Sequence, residues 1–157
     1  MPMPDNNALA RHLAIGFIAG AVSVATFQQA ALFVVSAIHM INASPFSMRP
    51  VPPFGVPALL SGMFWGGLWG IVFAFAADRA PRSLPLWAFG LVFGAIAPVL
   101  VLWFVVLPLK GQPVAAGFVP LRMLAHILVH AVFGLGLALI FGFLRERIAG
   151  ERPALRL

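Results

Sequence analysis

The chain has 157 residues, of which 62% are hydrophobic and only 9% are charged, and its mean hydropathy is +1.02. A soluble domain keeps about a quarter of its residues charged, so this composition excludes an ordinary soluble protein. The formal net charge of +6 suits a basic rim beside anionic lipid, and we expect no nucleic-acid partner. The absence of cysteine excludes disulfides, thiolate chemistry and iron–sulfur clusters.

Four apolar stretches without a charged residue follow one another along the chain, and each holds at least the roughly 20 residues that a membrane crossing needs. They predict transmembrane helices at about 13–41, 57–77, 85–107 and 121–144. The first stretch is about twice as long as the apolar part of a signal peptide, so we interpret it as a retained helix. The predicted fold is all-α: an integral membrane four-helix bundle that forms a single transmembrane domain over residues 1–157.

Basic residues are unevenly divided between the two sides of these helices. One side holds seven: Arg11, Arg79, Arg82, Arg145, Arg147, Arg152 and Arg156. The other side holds three: Arg49, Lys110 and Arg122. Because cytoplasmic loops are enriched in Lys and Arg, we predict a multi-pass protein of the bacterial inner membrane with both termini in the cytoplasm.

The two outer loops share one pattern, P-x4-P-V-x4-V-P, which runs from Pro45 to Pro57 and again from Pro108 to Pro120. Gly16 and Gly20 correspond in the same way to Gly90 and Gly94. We predict two duplicated hairpins, residues 1–80 and 81–157, related by an axis along the membrane normal. The alternative is that any two membrane hairpins share apolar, proline-rich sequence.

Each predicted helix carries small residues four positions apart. They are Gly16/Gly20, Gly62/Gly66/Gly70, Gly90/Gly94 and Gly134/Ala138/Gly142. Small residues allow helix backbones to approach closely inside lipid, where the hydrophobic effect does not drive association. The pattern predicts tight packing, either within the chain or between copies of it.

The four acids, Asp5, Asp78, Glu146 and Glu151, all fall in predicted cytoplasmic segments. This disfavours a proton-coupled transporter and a carrier of hard cations, because both depend on carboxylates. The remaining polar residues form a candidate ligand-binding cluster: Gln28, His39, Arg49, Lys110, Gln112, Arg122, His126 and His130. Hydrogen bonding between helices is the favoured explanation for the intramembrane members of this cluster.

Two sharper hypotheses concern this cluster. Arg49, Lys110 and Arg122 could form an outer vestibule that attracts anions, although the first two could also anchor loops at the headgroups. His126 and His130, four residues apart on one helix face, could bind a metal with His39 as third ligand. A haem would instead need ligands from two helices, such as His39 and His126. Nothing in the sequence requires either group, and we expect no cofactor.

Several segments resemble those of small four-helix inner-membrane proteins of proteobacteria, a family without an assigned activity. They are residues 54–57 (FGVP), 64–70 (FWGGLWG), 103–113 (WFVVLPLKGQP) and 133–136 (FGLG). The resemblance covers most of the chain. It implies the same topology and length and assigns no catalytic residue.

We expect a protein that is not an enzyme and that serves as an accessory or structural membrane component. One alternative is a small permease or channel for an anionic or neutral solute, working as a dimer. The other is a His-ligated metal or haem protein. The expected partners are the lipid bilayer and either a second copy or a larger membrane complex.

Overall fold

The computed structural model describes residues 6–149, and its main elements are four long helices. They are α1 (Asn6–Ala37), α2 (Ala58–Ala77), α3 (Leu86–Leu109) and α4 (Pro120–Ala149). All four are long and apolar enough to cross a membrane. The prediction of an all-α fold with four such helices is therefore confirmed.

Two helices differ in extent from the prediction. The first begins at Asn6 rather than near residue 13, and it ends at Ala37 rather than near residue 41. It ends early because His39 turns left-handed, with φ of 59°. α4 continues to Ala149 rather than stopping near residue 144, because the charged residues after the apolar stretch stay helical.

The four helices share two ends, which we name by what lies there. The loop end carries the connections 38–57 and 110–119, and the terminal end carries the start of α1, the connection 78–85 and the end of α4. α1 packs mainly on α2 and α4, and α3 packs mainly on α4, while α2 and α3 touch each other less. The helices are thus arranged in the order α2, α1, α4, α3.

Aromatic and aliphatic side chains fill the space between the helices. Phe73, Leu137 and Phe141 are fully buried in the largest cluster. The rings of Phe73 and Phe141 meet edge to face with centroids 5.6 Å apart, a favoured geometry for aromatic pairs. Phe73 also contacts Phe93 of α3 at 5.3 Å, which closes the weaker α2–α3 side.

Glycines bring the backbones of each hairpin into direct contact. A Cβ placed on Gly20 would overlap the Gly66 carbonyl oxygen, and one on Gly70 would overlap the Gly16 carbonyl oxygen. In the second hairpin, a Cβ on Gly134 would overlap the Gly90 carbonyl oxygen. The predicted tight packing of small residues therefore occurs within the chain, between α1 and α2 and between α3 and α4.

Both odd-numbered helices contain a wide π turn, at Val24–Gln28 in α1 and at Leu102–Val106 in α3. The second follows Pro98, which has no N–H for the helix ladder. A π turn holds one extra residue, so it rotates every side chain after it around the helix axis. This rotation decides which polar residues of α1 face the protein.

The two loops with the shared proline pattern fold differently. The first forms a short antiparallel pair, β1 (Pro50–Val51) with β2 (Val56–Pro57). The second forms a left-handed turn at Val114–Phe118. Ala115 and Ala116 of this turn pack with Trp103 in a core cluster at the loop end.

We expect Gly20→Ala to destabilise the bundle by about 1–3 kcal/mol, because the added methyl must push α1 away from the α2 backbone. Gly62→Ala is the matched control, since a Cβ there would lie 3.4 Å from Val24 Cγ1, an ordinary contact. Thermal unfolding in detergent measures both variants. Equal stability of Gly20→Ala and Gly62→Ala would contradict the packing described above.

Candidate functional site

An open pocket lies at the loop end, between the end of α1 and the first turn of α4. It has a volume of about 380 Å³ and is lined by His39, Met40, Ile41, Asn42 and Arg122. The structure therefore brings together two residues of the predicted cluster, His39 and Arg122. Arginine and histidine are hydrogen-bond donors, so the pocket suits a ligand that accepts hydrogen bonds.

The backbone holds His39 in an unusual position. Its N–H donates to the Ser36 carbonyl oxygen at 3.0 Å, and the N–H of Met40 donates to the Val35 carbonyl oxygen at 2.9 Å. This pair of bonds is the Schellman motif that ends many helices, with a left-handed residue that is usually glycine. α3 ends in the same way with Gly111 at φ of 68°. A side chain in this conformation costs about 1–2 kcal/mol, so His39 is a strained residue.

The other predicted residues at this end do not join the pocket. Arg49, Lys110 and Gln112 are exposed and are not among the residues that line it. Gln28 is half-buried and lies within the π turn of α1. The predicted eight-residue cluster is thus divided among several places.

Gln29, which was not among the predicted site residues, is the buried glutamine of α1. It is 6% exposed, and its Oε1 accepts a hydrogen bond from the Phe46 N–H at 2.7 Å. The π turn at Val24–Gln28 lies immediately before it and sets its direction. Gln29 therefore ties the first loop to α1, a role that the sequence-based interpretation had given to no residue.

His126 and His130 are held by hydrogen bonds within the bundle. The indole N–H of Trp103 donates to Nδ1 of His126 at 3.1 Å, and Nδ1 of His130 lies 2.8 Å from the His126 carbonyl oxygen. An indole nitrogen only donates, so His126 carries its lone pair on Nδ1. Likewise the carbonyl oxygen only accepts, so His130 carries its proton on Nδ1. These contacts join α3 to α4 and brace one turn of α4.

The hypothesis of a three-histidine metal site finds no support in the geometry. Within residues 6–149, no three His, Asp or Glu side chains come together in a way that could hold a metal ion. His39 lines the loop-end pocket, while His126 is engaged with Trp103. The three candidate ligands therefore do not form one site in this structure.

A second polar cluster lies at the terminal end and was not predicted. His12 Nε2 lies 3.2 Å from Asp78 Oδ2, and Arg145 Nη1 lies 3.5 Å from Asp78 Oδ1. The His12 ring also meets Phe141 edge to face, at 5.5 Å between centroids. The cluster joins α1, the end of α2 and α4. Its signal in the sequence was that Asp78 directly follows an apolar stretch while basic residues flank two others.

Comparisons with protein-family models, with curated proteins and with solved structures found no match to this chain. The resemblance noted from the sequence therefore stays a prediction.

We expect Asp78→Asn to lower the free energy of unfolding by about 0.5–1 kcal/mol, because Asp78 is partly exposed and such ion pairs are weak in water. Glu146→Gln is the control, since Glu146 is an exposed acid of the same end. Chemical denaturation of both variants measures the difference. A cost for Glu146→Gln as large as for Asp78→Asn would show that net charge, rather than the cluster, sets the effect.

Proposed function

We propose that this chain is an integral, multi-pass protein of the bacterial inner membrane that acts as an accessory or structural component and not as an enzyme. The observation that carries the proposal is that polar side chains inside the four helices hold the bundle together. None of these contacts positions a nucleophile beside a base or assembles a set of metal ligands within residues 6–149.

The centre of the bundle illustrates this. Ser23 is fully buried, and its hydroxyl donates to the Phe133 carbonyl oxygen at 2.7 Å, which links α1 to α4. The hydroxyl of Thr26 donates to the Val22 carbonyl oxygen at 2.7 Å within α1. Among residues 6–149, no buried side-chain nitrogen or oxygen lacks a hydrogen-bond partner. Polar groups inside lipid need such partners, and here the protein itself supplies them.

The packing between the helices also favours a structural role. Phe73, Leu137 and Phe141 fill the centre of the largest cluster, and Val24 and Phe133 continue it toward the loop end. A pathway for a solute would need an opening lined by polar groups along the bundle. The filled core supports a single chain that does not conduct.

The proposed sidedness follows from charge. Five of the seven basic residues assigned to the cytoplasm lie in the described part of the chain, at the terminal end, while Arg152 and Arg156 lie outside it. This excess supports a cytoplasmic terminal end. A reporter domain fused after Leu157 should be active only in the format that works in the cytoplasm. Activity of the periplasmic format would overturn this orientation.

We further propose that the two hairpins arose by duplication. Gly16 and Gly20 meet Gly70 and Gly66, while Gly90 and Gly94 meet Ala138 and Gly134. Gly16 and Gly20, which the sequence matched to Gly90 and Gly94, thus make contacts equivalent to theirs. The Schellman motifs that end α1 and α3 supply independent support.

The second candidate is a dimeric permease for an anionic or neutral solute. It is favoured by the loop-end pocket, which presents His39 and Arg122 to the surface. In this case the pathway would have to form between two copies, because the core within one chain is filled.

Native mass spectrometry of the protein, extracted gently from its own membrane, tests the proposal. We expect a stable complex with other membrane subunits, because an accessory protein acts through its partners. A homodimer that contains no other protein would contradict this and would favour the permease.

A further inference from the structure

The loop-end pocket presents the donor side chains of Arg122 and His39 to the surface. Arg122 comes from the first turn of α4, and His39 comes from the turn that ends α1. Within residues 6–149, no hydrogen bond or ion pair occupies either side chain. Both are therefore available to a ligand.

The charge around the pocket favours a ligand with a negative charge. Among residues 6–149 the acids are Asp78 and Glu146, and both lie at the opposite, terminal end. The loop end carries Arg49, Lys110 and Arg122 without a carboxylate to offset them. Their summed field attracts anions, and a guanidinium binds phosphate oxygens with two parallel hydrogen bonds.

The wall of the pocket is fixed by contacts on both sides of His39. The Schellman bonds set the backbone of His39 and Met40, and the Ser36 hydroxyl donates to the Ala43 carbonyl oxygen at 2.9 Å. The left-handed conformation of His39 would be free of strain with glycine, as at Gly111. A strained residue that keeps its side chain beside a pocket points to a role for that side chain.

Exposed apolar residues lie next to the pocket-lining residues in the sequence. Ile38, Leu121 and Leu124 are 61%, 50% and 48% exposed, and each lies within two residues of His39 or Arg122. A free anion gains nothing from contact with exposed apolar side chains. A lipid can contact such residues, because its acyl chains extend from its headgroup along the helices.

We propose that the loop-end pocket binds the phosphate group of an anionic phospholipid, with Arg122 and His39 donating hydrogen bonds to its oxygens. Asn42 adds an amide donor to the same wall. The lining residues include no carboxylate that could hold a choline or ethanolamine, so the pocket favours a headgroup of the phosphatidylglycerol type. The inference rests on the membrane placement proposed above. Free inorganic phosphate offers the same chemistry, and the experiment separates the two sources.

The test uses the full-length protein in nanodiscs of phosphatidylglycerol and phosphatidylcholine, followed by native mass spectrometry of the lipids that stay bound after detergent transfer. We expect Arg122→Gln to retain phosphatidylglycerol about tenfold more weakly, the loss of a charge-assisted hydrogen bond. Arg49→Gln is the matched control, because Arg49 is an exposed arginine of the same end outside the pocket. Equal losses of phosphatidylglycerol in the two variants would overturn the site and indicate binding by general surface charge. Unchanged retention of phosphatidylglycerol by Arg122→Gln would also overturn the site.

Inorganic phosphate is titrated into the same samples in a second arm. We expect that inorganic phosphate does not displace phosphatidylglycerol when the two are present at equal concentration. Displacement at equal concentration would show that the pocket holds a soluble anion and would overturn the lipid assignment.

His39→Gly removes the His39 side chain without disturbing the fold, because glycine adopts the left-handed turn without strain. This variant should melt no lower than the original protein and yet lose phosphatidylglycerol several-fold, about the loss of one hydrogen bond. Full retention of the lipid would remove His39 from the site. A failure of the membrane placement itself would look different, since the unmodified protein would then leave the membrane fraction.

Discussion

Direct contact between glycine backbones is the constraint on which the rest of the structure depends. Gly20 with Gly66 and Gly94 with Gly134 let the helices of each hairpin approach until carbonyl oxygens and Cα atoms touch. Inside lipid such contacts replace the hydrophobic effect as the source of association. Because they are used within the chain, the outward faces are left to large apolar side chains that can contact lipid or a partner.

The two ends of the bundle carry different chemistry on this shared frame. At the terminal end, Asp78 lies between His12 and Arg145, so polar contacts to one carboxylate join three helices. At the loop end, Arg122 and His39 line a pocket with no acid among its lining residues. At the terminal end the polar groups contact one another, whereas at the loop end the donors of Arg122 and His39 face the pocket.

The sequence was sufficient to predict the four helices, because an apolar stretch of at least 20 residues has few alternatives to a membrane span. It also identified the glycines that pack and two residues of the loop-end pocket. It could not identify Gln29 as the buried glutamine, because the π turn before it changes the helix register without a sequence signal. His12 was missed because its partner, Asp78, lies 66 positions away in the chain and meets it only through the α1–α2 packing.

The filled interior of one chain should exclude water, because its side chains are used for packing. The chain has no cysteine, so Ser23→Cys places a single thiol at the fully buried centre of the bundle, and Met48→Cys places one in the exposed first loop. The measurement is the rate at which a water-soluble maleimide labels each variant in native membranes. We expect the thiol at position 23 to react only after denaturation and the thiol at position 48 to react at once. Equal labelling of the two folded variants would mean that water reaches the centre of the bundle and would contradict a packed interior.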